Sequence, residues 1–259
     1  MKACFLSIHN DDKIINEVIN QYQLPIDLTV ITVPKIDNKL LKNISLDNHL
    51  PIVFFDKQSL MLSQMIDNEL IKTCLNWQSL QQRIVSSGKN NELLLKACKL
   101  NKEMSVIDGT AGFGIDGLIL ASTGARVTFI EQNPIVFLML IFEKIKMSQH
   151  KNWQKLMERI TIVFGDSNKI INDGVKHDLI YLDPMFPNDS YKGAVNKNMQ
   201  ILHLMVNPPN SDDELKLFNT AIAKCDKLVI KRPLSAPNFA DKSPNQSFNN
   251  EVIRFDVYG

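Results

Sequence analysis

The sequence predicts an α/β protein in which a mostly parallel sheet, with helices on both faces, follows a small N-terminal α/β domain. The first sign is a short apolar run, residues 104–107, that breaks into a glycine-rich turn, as a buried strand does before a helix. The second is the alternation of strand and helix patterns from residue 104 onward, which is typical of parallel sheets. Separate patterns precede them, so we expect domains at residues 1–85 and 86–259.

The N-terminal domain carries no recognisable set of catalytic residues. Strands are predicted at residues 3–8, 28–33 and 52–55, and an amphipathic helix at residues 11–22. Residues 67–100 are predicted to be mainly helical and to link the two domains, with a polar interruption at residues 86–91. A packing role and a substrate-docking role both remain open for this domain.

Six strands are predicted in the second domain, at residues 104–108, 126–131, 160–164, 179–182, 227–230 and 252–258. Asn133 and Pro134 predict the start of a helix that runs to residue 149, because an Asn cap followed by proline favours helix initiation. Ser211 and Glu214 have the spacing of a capping box, which predicts the start of a later helix.

The turn after the first of these strands contains four glycines, Gly109, Gly112, Gly114 and Gly117. Glycine lets a ligand lie against the backbone and permits positive φ angles, and free N–H groups at a helix start face such a ligand. The last three glycines match the GxGxxG of dinucleotide-binding proteins, a weak signal by itself. Asp108, Gly112 and Gly114 equally match DxxxGxG, the first motif of methyltransferases that use S-adenosylmethionine (SAM). The spacing leaves both cofactors open, together with an ordinary turn that binds nothing.

The composition restricts the class of protein. Of the 259 residues 44% are hydrophobic, and the formal net charge is +1, so any nucleic-acid contact must rest on a local patch. Four scattered cysteines predict reduced, mostly buried thiols and no metal site: Cys4, Cys74, Cys98 and Cys225. Because the sequence shows neither a signal-peptide pattern nor a membrane-length apolar run, we expect a cytoplasmic protein with no membrane partner.

Acidic residues end the first four predicted strands of the second domain. They are Asp108, Glu131, Asp166 and Asp183. In an open parallel sheet such ends collect at one edge, where nucleoside cofactors bind. Glu131 has the position of a carboxylate that accepts both ribose hydroxyls, and Asp166, with Ser167 beside it, can accept from an adenine amino group. A single Asp after a strand is usually a turn or cap residue, but four together predict a nucleoside cofactor.

The segment Asp183-Pro-Met-Phe-Pro187 distinguishes between cofactors. Methyl transfer to an amino group needs the nitrogen lone pair aimed at the methyl. The Asp183 side chain and the Pro184 carbonyl can do this by accepting both N–H bonds, while Phe186 stacks on the base. This is the logic of the Asp/Asn/Ser-Pro-Pro-Tyr/Phe motif of amino-group methyltransferases, with Met185 in place of the second proline. No histidine falls at a strand end to serve a dehydrogenase.

The segments DGTAGFGIDGLILASTGARVTFIEQNP, YLDPMFP, VIKRP and RFDVY resemble the RsmJ family, in ordered blocks over residues 100–259. Members of that family methylate the N2 amino group of a guanine in 16S ribosomal RNA, with SAM as cofactor. The resemblance implies a Rossmann-like class I SAM-dependent methyltransferase sheet. It also implies cofactor contacts at Ile115, Asp116, Glu131, Gln132, Asp166, Ser167 and Asp183, beside the motif residues Asp108, Gly112 and Gly114.

Three departures from the family accompany the resemblance. Ile115 and Gln132 stand where the family usually has arginine, and its Gly- and Arg-rich segment before the sheet is reduced to SSGKNNEL. Cofactor binding through backbone and carboxylates should survive these changes. The family's sheet also has seven strands, so the missing strand lies within residues 235–250 or the sheet is truncated.

Four cations flank the predicted pocket and are the candidate RNA contacts: Lys192, Lys197, Lys231 and Arg232. Solvated surface positions are the alternative for Lys231 and Arg232. With so small a net charge we expect weak binding to free RNA, and hence 16S RNA within a small ribosomal subunit or an assembly intermediate as the partner.

The catalytic residues would be Asp183, Pro184 and Phe186, with no metal. Two other functions stay open: a ribosome-assembly factor that keeps the SAM fold but little catalysis, and an NAD(P)-dependent oxidoreductase. The oligomeric state is left open.

Overall fold

The structure, a computed structural model, describes residues 1–8, 11–48, 50–86, 92–185, 197–206 and 208–259, with the backbone alone at 47–48, 86 and 197–199. It contains two sheets, one of five strands before residue 75 and one of seven strands after residue 104. No helix within these ranges has the length and apolar character needed to cross a membrane.

The smaller sheet has the order β2-β1-β3-β4-β5. Its strands are β1 (Lys2–Ser7), β2 (Asp27–Thr32), β3 (Ile52–Asp56), β4 (Ser59–Ile66) and β5 (Glu69–Cys74). β1 pairs in parallel with β2 and β3, whereas β3, β4 and β5 form an antiparallel meander. Helices α1 (Asp12–Gln21) and α2 (Asn38–Asn48) connect the parallel strands. The sequence-based prediction of β1, β2, β3 and α1 is confirmed, but it misses α2 and β4.

The prediction of helix across residues 67–100 is wrong at its start. Asp67 and Asn68 have φ angles of 48° and 64°, and such a left-handed pair closes a tight hairpin between antiparallel strands. β5 therefore returns along β4 before the chain leaves the sheet. Helical structure begins only with the 3₁₀ turn Trp77–Leu80, followed by α3 (Gln81–Ser86) and α4 (Leu93–Cys98). Of the predicted interruption at residues 86–91, residues 87–91 lie outside the described part.

The larger sheet has the order β11-β12-β10-β9-β6-β7-β8. Its strands are β6 (Ser105–Asp108), β7 (Arg126–Glu131), β8 (Ile160–Phe164), β9 (His177–Leu182), β10 (Cys225–Pro233), β11 (Gln246–Asn249) and β12 (Ile253–Tyr258). The first five are parallel, and β12 and β11 are added antiparallel. β11 is the seventh strand that was sought in residues 235–250, and the sheet is complete.

Helices cover both faces of this sheet. They are α5 (Ile115–Ser122), α6 (Pro134–Ser148), α7 (Gln154–Met157), α8 (Ser167–Asp173), α9 (Lys197–Met205) and α10 (Ser211–Ala223). The predicted start of α6 is confirmed, because the Asn133 side chain accepts from the backbone N–H groups of Ile135 and Val136.

The predicted capping box at the start of α10 is wrong. Asn210, one residue earlier, caps the helix by accepting from the Asp213 N–H. Ser211 is the first residue of the helix, and Glu214 instead pairs with Arg232 of β10. A cation on a neighbouring strand therefore takes the side chain that the local pattern assigned to the helix start.

One hydrophobic core joins the two sheets, and Trp77 lies at their junction with 1% of its surface exposed. Its indole N–H donates to the carbonyl of Phe113 at 2.9 Å, within the glycine-rich turn. Its backbone N–H donates to Glu143 of α6, also at 2.9 Å. Glu143 pairs with Lys146, whose ammonium reaches Ser59 of β4. The N-terminal sheet is thus tied to the turn that follows β6.

Candidate active site

The order of the larger sheet reverses between β6 and β9, and a cavity of about 990 Å³ lies at the carboxyl ends of these strands. Such switch points are where open α/β sheets bind ligands. Nine of the ten predicted cofactor residues line this cavity, namely Asp108, Gly112, Ile115, Asp116, Glu131, Gln132, Asp166, Ser167 and Asp183. The tenth, Gly114, does not line it and instead faces Trp77, Phe129 and Leu140. The residues predicted from the sequence therefore meet at one cavity. The role of each of these residues stays a prediction.

The glycine-rich turn needs glycine for two different reasons. Gly114 has a φ of +73°, and a Cβ there would lie 3.0 Å from both Trp77 and Phe129. Gly117, on the first turn of α5, approaches Phe129 so closely that a Cβ would lie 2.3 Å from the ring. The turn and the start of α5 can therefore pack against Phe129 of β7 and against Trp77 only without these side chains.

Glu131 ends β7 and is held by two backbone groups. One carboxylate oxygen accepts the Gly112 N–H at 3.0 Å and the other accepts the Asn133 N–H at 2.7 Å. Each oxygen keeps a second lone-pair direction for a hydroxyl group. Burial raises the pKa of Glu131 to about 7, and the backbone N–H groups oppose this rise.

We expect SAM binding to be sensitive to pH near neutrality if Glu131 accepts the ribose hydroxyls, as the sequence predicts. Hydroxyl groups would donate to the ionised carboxylate, so binding would favour its deprotonated form. As pH falls below about 7, we expect SAM affinity to weaken by up to about tenfold per unit, and to level off above it. Isothermal titration calorimetry from pH 5.5 to 8.5 measures this. Glu131→Gln should bind weakly with a flat profile, and a wild-type profile in that variant would contradict the assignment.

A partly buried charge cluster lies between β6, β9, β10 and α5. The Lys231 ammonium is 2.7 Å from Oδ2 of Asp183 and 3.0 Å from Oδ2 of Asp116. The Tyr181 hydroxyl donates to the same Asp116 oxygen at 2.7 Å. Asp108, at the end of β6, is 1% exposed and accepts the Thr110 N–H.

The pKa values of the three aspartates in this cluster are shifted in different directions. Burial, reinforced by Asp116, raises the pKa of Asp108 well above its usual range. Burial also opposes ionisation of Asp116, but Lys231 and the Tyr181 hydroxyl outweigh it and lower the pKa of this group. Burial raises the pKa of Asp183, against the opposing effect of Lys231. The ammonium is therefore shared by two carboxylates, while Asp108 favours its neutral form.

Two contacts that the sequence-based prediction missed hold the strand ends in place. Thr110, inside the glycine-rich turn, accepts the backbone N–H of Asp183 at 2.5 Å. The Ser167 hydroxyl donates to the carbonyl of Gly109. Asp166 is the N-cap of α8, because its carboxylate accepts from the Lys169 N–H. A cap role was the alternative interpretation of this residue. Its position at the cavity still permits a contact with an adenine amino group.

The structure describes only some of the residues that were predicted to contact the RNA substrate. Pro184 lies at the cavity beside Asp183. Phe186 and Lys192 lie outside the described residues, and only the backbone of Lys197 is described, at the start of α9. Lys231 points into the charge cluster, where its two carboxylate partners occupy it. Its placement does not fit the phosphate contact that was predicted.

The prediction of Arg232 as an RNA contact is wrong, because this side chain is buried. Arg232 is 5% exposed, pairs with Glu214 at 3.2 Å and stacks at 5.5 Å on the ring of Phe239. It also donates to the carbonyl of Pro237. Arg254 of β12 binds further carbonyls of the same loop, at Pro233, Leu234 and Ala236. These arginines of the VIKRP and RFDVY segments shape the loop after β10.

We expect Arg232→Met to destabilise the fold rather than weaken RNA binding. Loss of Arg232 leaves the partly buried Glu214 without its cation and removes the hydrogen bond to the Pro237 carbonyl, at a cost of about 2 kcal/mol in the free energy of unfolding. Urea unfolding followed by circular dichroism measures this. An unchanged unfolding midpoint, combined with weaker RNA binding in filter assays, would restore the phosphate-contact role.

Ile115 and Gln132, the two departures from the RsmJ pattern, both line the cavity. Ile115 is 41% exposed at the first residue of α5. Arg83 of α3 also lines the cavity and forms a bidentate pair with Glu92, at 2.9 and 2.7 Å. Within the described ranges no group of three or more His, Cys, Asp or Glu side chains could hold a metal ion, and all four cysteines are free thiols.

Comparison with known proteins agrees with this geometry. A family described as putative SAM-dependent methyltransferase matches residues 39–259. Ribosomal RNA small subunit methyltransferase J of Psychrobacter cryohalolentis is 42% identical over 265 residues, which cover 93% of this chain and 88% of that protein. The protein of the same name from Acinetobacter baylyi is 34% identical over 196 residues, covering 71% and 72%.

A crystal structure shows the same fold. The SAM-dependent methyltransferase from Neisseria gonorrhoeae superposes with a TM-score of 0.72 at 24% identity, over 99% of this chain and 95% of that one. The seven-stranded sheet described above is of the class I methyltransferase type, in agreement with the family match. The cavity, the glycine-rich turn and the Glu131 carboxylate also suit SAM as the cofactor. The chain belongs to the ribosomal RNA small subunit methyltransferase J family of SAM-dependent methyltransferases.

Proposed function

We propose that this enzyme transfers the methyl group of SAM to the N2 amino group of a guanine in small-subunit (16S) ribosomal RNA. The observation that carries the proposal is the position of Asp183 and Pro184, which directly follow β9 and line the cavity beside the glycine-rich turn. The relatives that carry the name ribosomal RNA small subunit methyltransferase J support the RNA class. The family match replaces the oxidoreductase interpretation of the GxGxxG spacing.

The proposed cofactor contacts divide between ribose, adenine and the reacting end. Glu131 accepts the ribose hydroxyls, and Gln132 lies next to it along the cavity wall. Asp166 and Ser167 line the part of the cavity at the end of β8, where the adenine would lie. The N–H groups after Gly112 and the cluster of Asp108 and Asp116 would face the methionine part. Bound SAM supplies an electrophilic methyl group on sulfur.

The amino nitrogen of guanine is a poor nucleophile because its lone pair is conjugated with the ring. Asp183 and the Pro184 carbonyl accept its two N–H bonds and so turn the lone pair toward the methyl group. As the nitrogen–carbon bond forms, the carbon–sulfur bond breaks and S-adenosylhomocysteine is left. The cationic nitrogen then loses one proton to water. A strong general base is unnecessary, because this proton becomes acidic only after transfer.

The guanine would have to leave its stack to reach the cavity, as chemistry on a base edge requires. Phe186 remains the predicted stacking partner, and Lys192 and Lys197 the predicted phosphate contacts. Ile115 and Gln132 are uncharged. The cations that line the described part of the cavity, Arg83 and Lys231, are paired with carboxylates, so little unpaired positive charge is left there for RNA. We therefore propose a folded ribosomal particle in the cytoplasm as the partner, where shape adds to charge.

Methyl transfer from labelled SAM tests the proposal. The substrates are small ribosomal subunits and naked 16S RNA from cells that lack the gene, and the labelled nucleoside is identified by mass spectrometry. We expect label in N2-methylguanine, with subunits or their precursors as better acceptors than naked RNA. Label in another nucleoside would contradict the guanine assignment. SAM binding with no acceptor in any particle would favour the assembly-factor function instead.

A further inference from the structure

The charge cluster contains a cation that the proposed methyl transfer does not itself require. Lys231 is the seventh residue of β10, beside the strand that carries Asp183, and 23% of its side chain is exposed. Its ammonium joins Asp183, which would contact the base, to Asp116 on the first turn of α5. The side chain of Lys231 therefore connects the residue that would contact the base with the start of α5.

Because of this ion pair, the two carboxylate oxygens of Asp183 differ in their contacts. Oδ2 is held by Lys231 at 2.7 Å. Among the described residues no hydrogen bond reaches Oδ1, while the backbone N–H of Asp183 is fixed by Thr110. A carboxylate that is anchored through one oxygen loses rotational freedom, and its other oxygen acquires a defined position for an N–H donor.

We propose that Lys231 is a positioning residue, which holds Oδ2 of Asp183 so that Oδ1 meets an N–H of the target amino group. The proposal rests on the proposed function, and Lys231 itself does not touch the substrate. Its ammonium also compensates the charge of Asp116, so that Asp183 can stay ionised next to a second carboxylate. Two carboxylates and one ammonium leave a net charge of −1 beside the nitrogen that becomes cationic during transfer.

The groups around Asp183 determine the direction in which it responds to loss of this cation. Asp108 on β6, Asp116 on α5 and the Tyr181 hydroxyl on β9 face the cluster, and Arg83 on α3 acts on Asp116 from farther away. Burial and Asp116 raise the pKa of Asp183, while Lys231 lowers it. Removal of Lys231 should therefore move ionisation of Asp183 to higher pH.

Lysine cannot be the proton acceptor in this cluster. Burial alone would lower the pKa of Lys231, but Asp183 and Asp116 together raise it above its usual range. The ammonium therefore stays protonated throughout the working pH range, and its contribution is position and charge. Replacement of Lys231 by arginine keeps the positive charge but changes the length and shape of the side chain. This variant therefore distinguishes the effect of charge from the effect of position.

Three variants test the role: Lys231→Met, Lys231→Arg and the control Lys227→Met. Lys227 lies on the same strand and its ammonium binds the backbone carbonyl of Cys98 at 3.0 Å, away from any carboxylate of the site. We expect Lys231→Met to lower kcat on the order of 100-fold, with KM for the small subunit nearly unchanged. The acid limb of its pH profile should move to higher pH, and Lys231→Arg should return that limb toward the wild-type position.

A second readout does not depend on turnover. In full-length protein labelled with ¹³C at the aspartate carboxyls, Asp183→Asn identifies the Asp183 signal, and its titration is followed in wild type and variants. We expect the titration to shift to higher pH in Lys231→Met only. An unshifted titration would overturn the role of Lys231, whatever the activity. If the titration shifts in Lys231→Met but the wild type transfers no label to guanine N2, the proposed function fails, and only the hold of Lys231 on the Asp183 carboxylate is established.

Discussion

Asp183→Ala is expected to lower the rate of methyl transfer by about 100- to 1,000-fold, with SAM affinity within about tenfold of wild type. The expectation follows from the proposed role of Asp183 as one of the two acceptors that orient the amino group, while SAM would keep its proposed contacts with Glu131 and the glycine-rich turn. Single-turnover transfer to small subunits at saturating SAM measures this loss. Calorimetry on the same preparations reports the affinity.

Two further variants make this result specific. Asp183→Asn retains an oxygen acceptor and should lose less activity than alanine. Asp226→Ala removes an exposed carboxylate at the opposite end of β10, where it pairs with Lys176, and should act like wild type. Equal activity in Asp183→Ala and wild type would show that the amino group is oriented by other residues.

Trp77→Ala is expected to destabilise the protein by about 3–5 kcal/mol, because it empties a fully buried aromatic site. Trp77→Phe keeps most of this volume but leaves the carbonyl of Phe113 without its indole donor, at a cost of about 1–3 kcal/mol. Since Phe113 belongs to the glycine-rich turn, we also expect SAM affinity to fall by about fivefold in the phenylalanine variant. Urea unfolding and calorimetry measure the two effects.

Trp153→Phe provides the matched control, since this tryptophan is also buried, at 5% exposure, but lies next to α7 rather than the turn. It should lose stability without loss of SAM affinity. If Trp77→Phe binds SAM like wild type, the N-terminal sheet only packs against the larger one and does not support the cofactor turn.

The parts of the site that follow strand ends could be predicted from the sequence. The glycines after β6 and the acidic residues Glu131 and Asp183 are local signals, because each follows an apolar run by a fixed distance. Parallel strands bring such ends to one edge whatever the remaining details. The same locality explains why the Asn133 cap of α6 was predicted correctly.

Predictions fail where a partner is distant in sequence. Lys231 and Arg232 end a strand and resemble surface cations, yet Asp116 and Asp183 take the first and Glu214 the second. The same Glu214 contact is the reason that the capping-box pattern is misleading. β11 shows no apolar alternation because its residues are mainly exposed, so only its pairing with β12 identifies it.

A crystal structure with a bisubstrate compound, in which guanosine N2 is joined covalently to the adenosyl unit of the cofactor, tests the central claim most directly. We predict that N2 lies beside Oδ1 of Asp183 and the Pro184 carbonyl oxygen and donates its one remaining N–H to one of these two acceptors, with the adenosyl ribose hydroxyls on Glu131. A guanine bound elsewhere in the cavity, with Asp183 in contact with Lys231 alone, would contradict the proposed active site.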